Sequence, residues 1–344
     1  MKKTLLAIAI PALFAASAAN AATVYEKDGQ KFDVYGRVQT NLYDKDSAGE
    51  DKSSLNGFAR LGLKGSQAIN DGWTGLAKGE WQVAGENQDG SAKFKARHVY
   101  LGFDGGDKGT ITIGQTDTAY YDVVGLTDYM NEWGSEGNAY TGRQEGQIIY
   151  RGAWNGFSAS ASYQFADSTP DITFGGDNAV GTVLKAAKKD YGYAGTVGYA
   201  FPANFAIVAG VSKDAFTTTT DASWDKNDWA LGTSYGVDGE EGLYAAALYD
   251  ESKFEGPAAE AKAKGTELVA KYRLPSAVTL LAGYNKMKWD AVSGNTGTDH
   301  DLTDAFLLGT GYEFTSKFIG WAEYKFNQVD GVDDNWTLAL QYNF

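Results

Sequence analysis

Two histidines, His98 and His300, are the only imidazoles in 344 residues, and cysteine is absent. Thiol nucleophiles, thiolate metal sites and disulfides are therefore excluded. A histidine-activated hydroxyl would have to use one of the two imidazoles. His300 stands between Asp299 and Asp301 in a polar stretch and reads as a solvated loop residue, while His98 falls in a strand pattern. Asp44, Asp46 and Gly49 echo the start of a calcium loop, but its twelfth position is Leu55. That match lacks the terminal bidentate acid and is accidental. There is no P-loop and no G-x-G-x-x-G, so neither enzyme nor cofactor is expected. Chemistry of another kind is concentrated between residues 116 and 143. There Asp117, Asp122, Asp128, Glu132 and Glu136 occur with no lysine, and Arg143 is the first base. Such a segment is either a solvated surface loop or one that acts on ions through its field.

The elements that would hold these residues are strands. The chain carries 43 Gly, 9 Trp, 21 Tyr and 17 Phe, a β-rich composition, and 5 Pro, too few for a disordered linker. Acids outnumber bases 44 to 30, a net charge of −14 that disfavours nucleic acid as a partner. Lys2 and Lys3, an apolar run from Leu5 to Ala16, and Ala19-Asn20-Ala21 make residues 1–21 a cleaved secretory leader, leaving 22–344 as one mature domain. Beyond Ala22 no apolar run is long enough for a membrane helix.

Period-two alternation recurs instead. Trp336, Leu338, Leu340, Tyr342 and Phe344 alternate with Thr337, Ala339, Gln341 and Asn343 to the end of the sequence. Phe157, Ala159, Ala161, Tyr163 and Phe165 alternate with serines and Gln164, and Trp229, Leu231, Thr233, Tyr235 and Val237 repeat the pattern. One face is apolar and the other polar or small, which suits both a soluble sandwich and a membrane barrel. Connection lengths separate the two. Seven tight turns are expected at 70–72, 105–109, 154–156, 201–204, 238–242, 275–276 and 315–317. Eight longer polar segments lie near 44–53, 85–92, 116–143, 168–187, 216–226, 254–262, 290–302 and 329–334. Short and long connections alternate strictly, as in an all-β, 16-stranded antiparallel transmembrane barrel with about ten residues per crossing. Tyr43, Trp73, Trp154, Trp229, Trp289 and Trp336 would supply its aromatic girdles.

The stretches Ala22–Gly36, Phe58–Gly65, Tyr121–Asp128 with Glu132-Trp133-Gly134, and the Tyr-Asn-Phe terminus together resemble the general diffusion porins of the Gram-negative outer membrane. The resemblance implies a homotrimer of sixteen-stranded barrels in contact with outer-membrane lipid and lipopolysaccharide. In each barrel the third external loop would fold into the lumen, its acids (Asp122, Asp128, Glu132 and Glu136) facing a basic wall. By position that wall is Arg37, Arg60, Arg97 and Arg143. Strand parity independently puts Arg37 beside Asp33, Gln39 and Asn41, and Arg60 beside Lys64; Lys78, with Glu80 and Gln82, could join them. For Arg97 parity conflicts, because Val99, Leu101 and Phe103 share its side.

A transverse field of this kind passes ions and small hydrophilic solutes and hinders apolar ones. With no lysine in the loop and an acidic chain, mild cation preference is expected. The alternative is a barrel with a blocked lumen acting through its outer loops as an adhesin or receptor. The chain departs from the family in carrying Asn131 before Glu132 and only Gly134 before Ser135, which leaves the pore width open. Its second loop, Gly85 to Gly90, is short, and Glu86 is the one acid before Asp89 that could latch a neighbouring subunit.

Overall fold

A computed structural model describes residues 21–46, 51–70, 72–84, 94–166, 172–173, 182–184, 187–218, 220–257, 260–293 and 299–344. The leader up to residue 20, the second loop with Glu86, and Gly49 of the calcium-like run lie outside the described residues. The strands are β1 (Ala22–Lys27), β2 (Gln30–Asp46), β3 (Asp51–Asn70), β4 (Trp73–Ala84), β5 (Phe94–Asp104), β6 (Thr110–Thr116), β7 (Gln144–Trp154) and β8 (Phe157–Gln164), then a two-stranded ribbon of β9 (Ile172–Thr173) and β10 (Thr182–Leu184). They continue as β11 (Ala187–Phe201), β12 (Phe205–Thr218), β13 (Ser223–Tyr235), β14 (Gly242–Glu255), β15 (Glu260–Arg273), β16 (Val278–Ser293), β17 (His300–Glu313), β18 (Phe318–Asn327) and β19 (Asn335–Asn343).

Apart from the ribbon, each strand from β2 onward pairs antiparallel with its neighbour in the chain. β8 pairs with β11 and β19 with β2, which closes a 16-strand barrel. Closure leaves no open sheet edge, the condition a sheet must meet to cross lipid. The seam ends on the last residue, where Phe344 and Gly36 exchange both backbone hydrogen bonds at 3.0 Å. A Cβ at Gly36 would stand 2.4 Å from the Arg60 carbonyl, so the close approach requires glycine.

All seven tight turns fall between strands where expected. Backbone chemistry explains them, with positive φ at Gly72, at Asn155 and Gly156, at Ala203 and Asn204, and at Ala277. The opening stretch departs from expectation. It is two strands, β1 folded back on β2 through Asp28 (φ 53°) and Gly29 (φ 75°). Strand lengths also depart from about ten residues, β3 running for 20 and β6 for only 7. Several hairpins simply continue past the crossing; the β12–β13 ladder holds register to Thr217 opposite Ser223, and β14–β15 to Glu255 opposite Glu260. Continuing the ladder satisfies backbone groups that a loop would leave to water.

The alternation resolves as apolar outward. Phe157 and Val197 are 60% and 64% exposed, whereas Ser158, Ser160, Ser162 and Gln164 are buried. Outward aromatics pair across strands, among them Trp229 with Tyr249 (5.4 Å), Tyr284 with Phe306 (4.8 Å) and, at the tight-turn rim, Phe157 with Tyr199 (4.5 Å). Two expected girdle residues face the other way. Tyr43 bonds Glu132 across the interior, and Trp289 packs on Phe254 in a buried cluster that includes Ala139.

Candidate functional site

The segment from Asp117 to Arg143 joins β6 to β7 and begins with one helical turn, α1 (Tyr121–Val124). Val123, Val124 and Leu126 form a buried cluster with Ala194, Val208, Ala230, Ala246 and Val269, side chains contributed by β11 to β15. The wall is shaped for them. A Cβ at Gly210 would lie 2.7 Å from Val123, and one at Gly232 would lie 2.7 Å from Leu126. Tyr244 donates to the Leu126 carbonyl at 2.9 Å.

Further along, carboxylates on the wall accept the segment's backbone N–H groups. Glu323 takes Asn131 (2.6 Å) and Glu132 (3.0 Å), and Glu267 takes Gly137 (2.8 Å), the Asn138 amide and the Thr127 hydroxyl. Asn285 donates to the Trp133 carbonyl at 2.8 Å. Bonds of a carboxylate to backbone N–H are charge-assisted and among the stronger hydrogen bonds available. The segment is thus tied to β15, β16 and β18, while at its base Arg151 on β7 holds Asp122 and the carbonyls of Asp117 and Thr118.

The four acids expected to face a basic wall have separate fates. Asp128 is exposed and accepts from Tyr121 at 2.7 Å. Glu132 reaches β2, where Asn41 and Tyr43 donate to it. Asp122 is buried between Arg151, at 3.0 Å, and Ser160, and Glu136 pairs with Lys325 at 2.6 Å. Neither of these two stands as an open charge opposite the arginines, because a carboxylate brought against a wall needs a local cation. Asp117 is buried as well. Burial pushes its carboxyl above the usual range, against the pull of Arg143 and Arg151.

The basic residues gather around one acid that the sequence analysis did not single out. Glu80 lies 2.7 Å from Arg97, 3.8 Å from Arg60 and 3.8 Å from Lys78, and accepts the Tyr35 hydroxyl at 2.8 Å. Arg60 also donates twice to Gln82, and Arg37 is near enough to feel Arg97, Glu80 and Glu132. Arg97 joins the group through a break in the ladder. Glu80 pairs with His98 and Trp81 with Ala96, so Arg97 is the extra residue of a bulge. The bulge reverses parity, putting Arg97 with Glu80 while Val99, Leu101 and Phe103 remain exposed on the outer side. Arg143 donates to His98 Nε2 at 3.3 Å and lies 3.5 Å from Asp117. A nitrogen that accepts from a guanidinium carries no proton, so His98 is neutral and its Nδ1 donates to Thr116 at 2.9 Å.

Sequence reasoning missed Glu80, Arg151, Glu267, Glu323 and Lys325. Their signal was available as parity: Glu323 shares the face of Thr337-paired residues while Tyr324 beside it faces out, and Glu267 stands beside outward Leu268. An acid in the inward register needs a partner inside the barrel.

Comparison with known proteins adds the following. A family model described as Gram-negative porin matches residues 4–344. Outer membrane protein S2 of Salmonella typhi is 30% identical, and outer membrane porin F of Escherichia coli K12 is 29% identical, each over the whole of both chains. Among solved structures, Salmonella typhi OmpF in complex with daunomycin superposes with a TM-score of 0.76 at 22% identity, covering 94% of this chain and 100% of its own. The trimer form of in-vitro folded OmpT from Vibrio cholerae gives 0.71 at 20% identity, covering 92% and 100%.

Proposed function

This chain belongs to the Gram-negative porin family and forms a channel across the outer membrane, and we propose that the 117–143 segment lies across its lumen and sets what passes. One observation carries the reading. A single connection is bonded to Arg151 on β7, Asn41 on β2, Glu267 on β15 and Glu323 on β18, positions spread around the barrel that a loop outside the mouth could not reach together. Residues 1–21 act as the export leader, and the protein works as a passive, non-enzymatic homotrimer in contact with outer-membrane lipid and lipopolysaccharide.

In this reading the wall is Arg37, Arg60, Arg97, Arg143 and Lys78, with Glu80 interleaved to limit their mutual repulsion. Asp128 and Glu132 are the acids that face solutes, and Asp122 and Glu136 serve to anchor the segment. Opposed charges across a narrow waterway orient dipolar solutes, and the ordered water there is costly for an apolar solute to displace. The net charge of −14 over the full sequence becomes −16 once Lys2 and Lys3 leave with residues 1–21; it favours cations in the approaches, which gives mild cation preference. The porin relatives lend no support to a plugged barrel.

Reconstitution in a planar bilayer tests this. Stepwise conductance should appear, and the double variant Asp128→Asn, Glu132→Gln should move the reversal potential in a salt gradient toward anions. An unchanged potential would remove both acids from the constriction.

A further inference from the structure

Where β4 to β7 meet the start of the 117–143 segment, Lys78, His98, Tyr100, Thr112, Thr116, Asp117 and Arg151 line a cavity of about 40 Å³. A space of roughly 10–15 Å³ already holds a water molecule, so this one takes a water or an ion of similar radius, and nothing the size of a sugar.

The hydrogen-bonding capacity left over around it is mostly donor. The Lys78 side chain is 9% exposed, and its ammonium group has no hydrogen-bond acceptor among the described residues; its nearest acid oxygen is that of Glu80 at 3.8 Å. Thr112 is 4% exposed and its hydroxyl is buried without a partner. Arg151 spends Nε on Asp122 and Nη2 on two carbonyls, leaving the Nη1 hydrogens. Thr116 accepts from His98 and keeps its own proton to give. The charged and imidazole acceptors, by contrast, each already have a partner. One Asp117 oxygen takes the Tyr140 hydroxyl and the other faces Arg143, and both nitrogens of His98 are occupied. A lysine ammonium offers three donors and no acceptor, and a guanidinium offers donors only.

We propose that this cavity is a binding site for a small monovalent anion of chloride size. Water accepts from at most two of these donors, whereas a halide accepts from all sides. Its charge offsets Lys78, whose nearest carboxylate, Glu80, is shared with Arg60 and Arg97. The assignment stands independently of the selectivity reading, because diffraction reports on the site and reversal potentials report on the constriction.

The test is anomalous diffraction at the bromine edge from crystals of the folded, full-length mature protein soaked in sodium bromide. The expected result is one anomalous peak in the cavity, within contact of Lys78 Nζ and Thr112 Oγ1. It should be lost in Lys78→Met and fall severalfold in occupancy in Thr112→Val, a nearly isosteric change that keeps the fold even if the first variant does not. Bromide on surface lysines and none in the cavity would mean an adventitious ion only, and would overturn the proposal. So would a cavity filled by ordered water, or a peak of equal height in both variants.

Discussion

At the residue scale the pore is decided by which charges are already spent. Glu80 is shared by Arg97, Arg60 and Lys78 and by the Tyr35 hydroxyl, so it is the joint of the wall. Glu80→Gln should lower resistance to unfolding by about 3–5 kcal/mol, since removing one partner strands the others. The same change should shift the reversal potential toward anions; equal urea midpoints for variant and parent would refute the joint role. Arg60 is bonded only to the neutral Gln82 at hydrogen-bonding distance. Arg60→Ala therefore opens space at little structural cost and should raise liposome uptake of bulky solutes severalfold, with small sugars little affected. Identical uptake curves would take Arg60 off the pore wall.

At the scale of elements, the 117–143 segment and the barrel are shaped for each other. Its apolar start needs the bare backbone at Gly210 and Gly232, and its tip needs the Glu323 carboxylate. Gly232→Val should destabilise the folded barrel by about 1–3 kcal/mol through overpacking against Leu126 and Val123. The temperature at which the folded band is lost on a semi-native gel measures this. Glu323→Gln replaces charge-assisted bonds to two N–H groups by ordinary ones, a loss of about 1–3 kcal/mol at the tip. Open-channel current noise should rise, and a trace as quiet as the parent's would show that the tip is held elsewhere. For these anchors the sequence carries the side, through parity, and never the partner. Arg97 shows the limit of parity itself: a one-residue bulge moved it to the face opposite the one its neighbours indicate.

At the scale of the whole molecule, outward charges form cross-strand pairs on the long-loop side of the Trp229, Tyr249, Tyr284 and Phe306 aromatics. Lys213 pairs with Asp225, Lys262 with Glu251, Lys264 with Asp290 and Lys286 with Asp304. Strands β12 to β17 thus leave the apolar band as a charged surface suited to headgroup depth, whereas β6 and β8 stop at 7 and 8 residues. A wall that is low at β6 and β8 suits an assembly in which that stretch meets other subunits. Conductance after insertion should accordingly rise in groups of three equal increments; isolated single increments throughout would mean that the barrel inserts as a monomer.

The sequence by itself determined the barrel. Side chains that alternate with period two, and turns and long connections that alternate around them, allow one architecture, because backbone groups in lipid must all be paired and a closed sheet alone pairs them. It also marked out the acid-rich segment and, through resemblance, the arginines proposed as the opposing wall. Only the tertiary structure decided which of those charges remain open. Asp122 and Glu136 are consumed by Arg151 and Lys325, and Glu80 becomes the centre of the cations. Those pairings join residues tens to hundreds of positions apart, and their distances are set by barrel closure, a property that no local pattern carries.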